Sequence, residues 1–164
     1  MLAMANHRDG GVVVVGVEEE ASGALCPVGV SKDDLATWKH DHLADAAATH
    51  TDPPLQFDLQ VCPLDGLDFL VIEVKEFSDT PVLCKKHRTY AGQVVLREGA
   101  CYIRPRRKPE SVEVCTYADM RDLLDLATEK ALRRFLRTAH SAGIGVDAAP
   151  TDAELFRQQL AEFE

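Results

Sequence analysis

Between Cys84 and Lys108 the chain carries Lys85, Lys86, Arg88, Arg97, Arg104, Arg106, Arg107 and Lys108 against a single acid, Glu98. Guanidinium and ammonium groups at this density suit one task above others, the holding of phosphates, and the forked donors of arginine match two phosphate oxygens at once. Arg104, Arg106, Arg107 and Lys108 close an apolar stretch, and Pro105 and Pro109 stiffen the exit. Lys85, Lys86 and Arg88 lie on a polar segment that can fold beside it. Tyr90 and Tyr102 fall in the same region and offer rings either for stacking on bases or for packing within a sheet. The formal net charge of the whole chain is −9, so its cations are segregated rather than abundant. Segregation of this kind lets one face hold a polyanion while the remainder repels it. The plainer alternative is a solvated stretch balanced by acidic neighbours.

The acids suggest different chemistry. Glu18, Glu19 and Glu20 follow an apolar run directly. Glu18 and Glu19 are the candidate catalytic carboxylates, and Glu19 is the candidate metal ligand. A divalent ion that activates water needs several hard oxygen ligands held together. One acidic pair at a strand end is not a complete site. Asp33, Asp34, Asp58, Asp65 and Asp68 could join it only by tertiary approach. His40 and His42 point in different directions on a helix, so they do not converge. Cys84 and His87 have no evident third partner for nucleophilic chemistry. A phosphate-cradling GxxxxGK[ST] sequence is missing. Binding is therefore expected to need no cofactor, and magnesium or manganese enters only if the chain is a nuclease.

The elements that would position these groups can be read from periodicity. Leu2–Ala5 reads as the end of a helix running into the turn Asn6 to Gly11. Val12–Val17 is apolar throughout and reads as a strand buried on both faces. Ser31 is a helix cap, followed by acids in the first turn and by Leu35, Trp38, Leu43 and Ala46 on one side. Residues 55–63 and 67–75 flank Leu64-Asp65-Gly66 and read as a hairpin. Val94–Leu96 and Cys101–Arg104 suggest a second hairpin across Arg97-Glu98-Gly99. Residues 117–142 form a long helix with Met120, Leu123, Leu124, Ala127, Ala131, Leu132, Phe135 and Leu136 at three- and four-residue spacing. After a linker with Pro150, Leu155, Phe156, Leu160 and Phe163 define a final amphipathic helix. The expected fold is α+β, a mixed arrangement with helices packed on a mostly antiparallel sheet of hairpins. The expected organisation is one domain over 1–142, then a linker and helix over 143–164.

Hydrophobic residues make up 46% of the chain and charged ones 27%, the profile of a folded domain. Five cysteines, odd in number and without a CxxC pair, argue against a disulfide framework or zinc ribbon and fit reduced thiols in the cytoplasm. Val12–Val15 is too short to span a membrane, so no membrane partner is expected.

Ala5-Asn6-His7-Arg8-Asp9-Gly10-Gly11, followed by Val12–Val15, Gly16-Val17 and Glu18-Glu19, resembles the Schlafen-type AlbA-like domain. Pro81-Val82-Leu83 and the later Gly99-Ala100-Cys101-Tyr102-Ile103-Arg104 resemble a second signature of that family. The likeness covers roughly residues 2 to 115. Three residues separate Asn6 from the glycine pair, where some members have two. The family usually opens with a Glu-rich helix ending in a Glu-Phe-Lys-like sequence, and this chain is expected to lack it. In the RNA-cutting Schlafen branch that helix supplies two of three metal-binding acids, and only the third has a counterpart here, at Glu19.

The resemblance implies a DNA-binding or divergent ATP-binding family with regulatory or defence roles. It singles out Arg104, which follows Tyr-Ile in the family pattern. The leading expectation is a domain that binds DNA or RNA through Lys85, Lys86, Arg88, Arg104, Arg106, Arg107 and Lys108 with weak sequence specificity. Two alternatives stand beside it. One is a truncated or decayed metal-dependent ribonuclease of Schlafen type. The other is a protein-interaction module that uses the last helix to form a homo-oligomer.

Overall fold

The structure, a computed structural model, describes residues 1–105 and 110–144. The second half of the cationic exit, Arg106, Arg107 and Lys108, and the expected helix over 152–163 lie outside the described residues. The chain divides into two compact units, Met1–Ala127 and Thr128–Glu164.

The first unit is built on a three-stranded antiparallel sheet in the order β1 (Gly11–Val15), β6 (Leu67–Val74), β5 (Phe57–Leu64). Asp65 and Gly66, at φ 51° and 80°, form the two-residue loop that joins β5 to β6, with Leu64 paired to Leu67. Two consecutive positive-φ residues twist the turn in the same sense as the strands, which is why Asp-Gly closes the hairpin as expected. Register then sorts the faces. Val13, Ile72 and Leu59 lie in line, as do Val74 and Phe57, and all face the core with Leu2, Met4, Ala5, Phe77 and Val82.

β1 corrects one expectation. It is not buried on both faces: Val12 and Val14 are about half exposed, and β6 is its partner on one side only among the described residues. The valine run breaks at Gly16, whose φ is 113°, and Val17 starts a separate short strand. Gly10 explains why the chain approaches this sheet on a glycine. Its φ is 74°, and a Cβ there would sit 2.1 Å from the Val74 carbonyl oxygen.

Around the sheet lie short elements. β2 (Val17–Glu19) pairs with β3 (Leu25–Pro27), and β4 (Thr51–Asp52) with β7 (Leu83–Cys84). β8 (Arg88–Tyr90) pairs with β9 (Gln93–Leu96), and β10 (Tyr102–Ile103) with β11 (Val112–Glu113). The second hairpin is therefore not the expected one. β9 turns back on β8 through Ala91 and Gly92, at φ 49° and 78°, instead of running on to pair with β10. A tight turn with positive φ at both central positions closes adjacent strands, and alanine at the first of them gives no sequence cue.

α1 (Leu2–Ala5) is wholly buried. The Ser31 cap forms as expected, its Oγ accepting from the Asp34 N–H at 3.1 Å. The helix it starts stops early, however. Trp38 is extended, at φ −82° and ψ 96°, and divides the region into α2 (Lys32–Thr37) and α3 (His40–His50). Thr116 caps α4 (Tyr117–Ser141), whose Leu123 and Leu126 join the core of the first unit.

The second unit holds the rest of α4. Glu129 and Arg133, one turn apart, form an ion pair on it. Gly143, at φ 71°, ends the helix, with Gly143 N–H donating to His140 and Ile144 N–H to Ala139.

Candidate nucleic-acid interface

The anchor of the cationic segment is Cys84, which is 2% exposed. Its backbone is held from two sides. Thr51 pairs with it in β4, and Lys85 N–H continues that ladder to the His50 carbonyl at 2.8 Å. On the other side Cys84 N–H donates to Ala100 at 2.9 Å, and Gly99 N–H donates back to Cys84 at 2.8 Å. The thiol of Cys84 donates to the Lys86 carbonyl at 3.2 Å, which turns the chain as it leaves. A buried sulfur and a doubly paired backbone thus fix the point from which Lys85 and Lys86 emerge into solvent, and Arg88 follows in β8.

Lys85, Lys86 and Arg88 are exposed and enter no ion pair among the described residues. Arg97 differs. It is bound to the Glu113 carboxylate, which raises its pKa further and neutralises it as a phosphate ligand. Only the structure shows this, because Glu113 is brought to Arg97 by the β10–β11 pairing.

Arg104 is half-buried beyond Ile103. It stands near Met1, whose amino group is pushed below its usual pKa first by burial and then by the Arg104 charge. Leu83 and Cys101 are antiparallel bridge partners. From that bridge the chain runs toward Lys85 in one direction and toward Arg104 in the other. Lys85, Lys86 and Arg88 are sequence neighbours beyond one end of the bridge, and the antiparallel register sends Arg104 beyond the other.

Asn6 holds this region in place. Its Nδ2 donates to the carbonyls of Val82 and Tyr102 at 2.8 and 2.9 Å and to Cys101 Sγ at 3.3 Å. Its Oδ1 accepts from the Val82 N–H at 2.7 Å. The asparagine of the Ala-Asn signature thereby supplies the hydrogen bonds that a strand between Val82 and Tyr102 would make.

Glu18 and Glu19 are exposed neighbours on β2, paired with Cys26 and Leu25. Successive strand residues point to opposite faces, so the two carboxylates diverge. Glu20 instead accepts from the Cys26 thiol at 3.0 Å, and this carboxylate, with burial and Glu18 behind it, raises the Cys26 pKa. No group of three His, Cys, Asp or Glu side chains able to hold a metal forms among the described residues. Glu18 and Glu19 as placed do not fit a shared divalent ion. His40 turns to Phe57, with ring centroids 4.9 Å apart.

Residues 1–110 match the model of the family described as Schlafen, AlbA_2. The chain belongs to that family. No curated protein matches it. Among solved structures it is similar to the solution NMR structure of the N-terminal domain of an ATP-dependent DNA helicase RecG-related protein from Nitrosomonas europaea. That likeness has 24% identity, covers 70% of this chain and 71% of the other, and gives a TM-score of 0.40. No helix among the described residues of this Schlafen AlbA_2 domain is long and apolar enough to cross a membrane.

Proposed function

We propose that this domain binds nucleic acid through the phosphate backbone, with weak sequence specificity. The observation that carries the reading is the exposed group Lys85, Lys86 and Arg88, which enters no ion pair among the described residues and is anchored by the buried Cys84. The three stand within four positions of sequence on a chain whose formal net charge is −9. Their clustering concentrates positive charge on a chain whose total is negative. Membership of the Schlafen AlbA_2 family supports the same reading.

Arg104, Arg106, Arg107 and Lys108 extend the proposal as a second group of phosphate ligands. A polyanion is contacted along its length and not at one point, so separated cationic groups suit it, one for each stretch of backbone. Lys85 and Lys86 lie on a loop and Arg88 on a strand, not on a helix that could enter a groove, which leaves sequence weakly read. No cofactor is required for this binding. The ribonuclease alternative has no comparable support, since Glu18 and Glu19 diverge.

The test is fluorescence anisotropy of labelled single-stranded DNA, duplex DNA and RNA across a salt series. The logarithm of the affinity is expected to fall linearly with the logarithm of salt concentration. Replacing Lys85 and Lys86 together by Gln should reduce the slope by about 1.5. Undetectable binding at low salt, or an affinity indifferent to salt, overturns the proposal.

A further inference from the structure

The β8–β9 hairpin carries more than charge. Arg88 and Tyr90 are two residues apart on β8 and share a face, and Gln93 lies directly opposite Tyr90. Thr89 and Val94 take the other face. The register slips by one residue between Arg88 and Thr89, leaving Val95 unpaired, and a bulge of this kind increases local twist. One side of the hairpin therefore presents a guanidinium, a phenol ring and a carboxamide in a row. Tyr90 is 74% exposed there.

A tyrosine ring left so open at a strand end gains nothing from packing. The other two tyrosines are placed differently. Tyr102 is half-buried, and its hydroxyl accepts from the Arg97 N–H at 2.8 Å, which fixes it as a structural ring. Tyr117 is exposed at the start of α4, where Asp119 and Asp122 follow it and Arg121, one turn on, is paired with Asp125. Among the described residues, Tyr90 combines an open ring with a cation on its own face, Arg88, that enters no ion pair.

We infer that Tyr90 is a stacking platform for an unpaired base, with Arg88 on the adjoining phosphate and Gln93 within reach of the base edge. The ligand is a single-stranded nucleic acid. This rests on the proposed function and deepens it, because phosphate contact alone does not distinguish strands from duplexes, whereas stacking does. In a duplex both faces of each base are already covered by its neighbours, so the Tyr90 ring has nothing to engage.

Anisotropy titrations at low salt with three probes separate the outcomes: a thymidine strand, an abasic strand of equal length, and a duplex. The abasic strand has the same phosphates and no bases. Tyr90→Ala is expected to weaken the thymidine strand about tenfold and to change the abasic strand and the duplex by less than about twofold. Tyr90→Phe should keep most of the wild-type affinity. Thermal melting of both variants should be unchanged, as the ring is outside the core. If Tyr90→Ala costs nothing on the thymidine strand, or costs the same on the abasic strand, the stacking inference fails while phosphate binding stands. If the variant leaves strand affinity intact but lowers the mass in solution, the face is a self-association surface, and the inference again fails. If no probe binds the wild-type chain, the proposed function falls and takes the inference with it.

Discussion

The side chain of Asn6 and the backbone of Val82 exchange two hydrogen bonds across 76 positions of sequence, one in each direction. Removing the carboxamide leaves the Val82 N–H and two carbonyls without these partners in a buried setting. Asn6→Ala is expected to lower stability by about 3 kcal/mol. The denaturation midpoint should fall with an unchanged slope on denaturant. Asn6→Asp keeps the acceptor for Val82 but loses both donors, so at neutral pH it should be at least as damaging.

Two glycines with the same backbone sign should behave differently. Gly66, at φ 80°, has nothing within 4 Å of a new Cβ, and Gly66→Ala should cost only the left-handed penalty of about 1–2 kcal/mol. Gly10→Ala meets the Val74 carbonyl as well, so its cost should exceed that of Gly66→Ala by at least about 2 kcal/mol. Paired chemical denaturation of the two variants checks this. Equal losses would mean that the contact at Gly10 relaxes freely.

Arg88 and Arg97 look equivalent in the sequence but are expected to differ in binding. Arg88→Gln should weaken a labelled single strand several-fold at low salt, through loss of a phosphate contact. Arg97→Gln should change it less than about twofold, because Glu113 already holds that guanidinium. Direct titration of the two variants against one probe decides it.

Stability should decline as the solution becomes alkaline. Burial pushes the Cys101 thiol above its ordinary value of 9.0, and the Glu20 carboxylate does the same to Cys26. Above pH 9 the folded chain then binds more protons than the unfolded one, so the slope of stability against pH is negative. The contribution is complete below the unfolded value and disappears as pH rises through the folded one. Cys26→Ala should remove part of the decline and leave the Cys101 part. Denaturation midpoints measured at pH 8, 9 and 10 are the check, and a flat profile in the parent chain would refute it.

Where a local rule sets the structure, the sequence is readable. Asp65-Gly66 demands a positive-φ turn, Ser31 supplies an oxygen to a helix start, and the spacing in 117–142 repeats with the helix period. All three appear as expected. Where neighbours decide, it is not. Four valines in a row look fully buried, yet Val12 and Val14, on the face turned from the core, are about half exposed. Ala91 takes a positive φ that alanine seldom adopts, so the β8–β9 hairpin was hidden. The cations were legible as a group. What distinguishes them, the Arg97 partnership and the opposite placement of Arg104, depends on pairings between strands far apart in sequence.

Among the described residues β1 has a strand partner on one side only, and Val12 and Val14 lie on its more exposed face. Such a strand is a template for unwanted cross-chain pairing. Glu18, Glu19 and Glu20 follow it almost at once, exposed and consecutive. A second copy aligning there in parallel and in register would bring its own acidic triplet against this one. Repulsion between two such triplets would oppose that pairing, the part that charges beside an apolar strand play as gatekeepers.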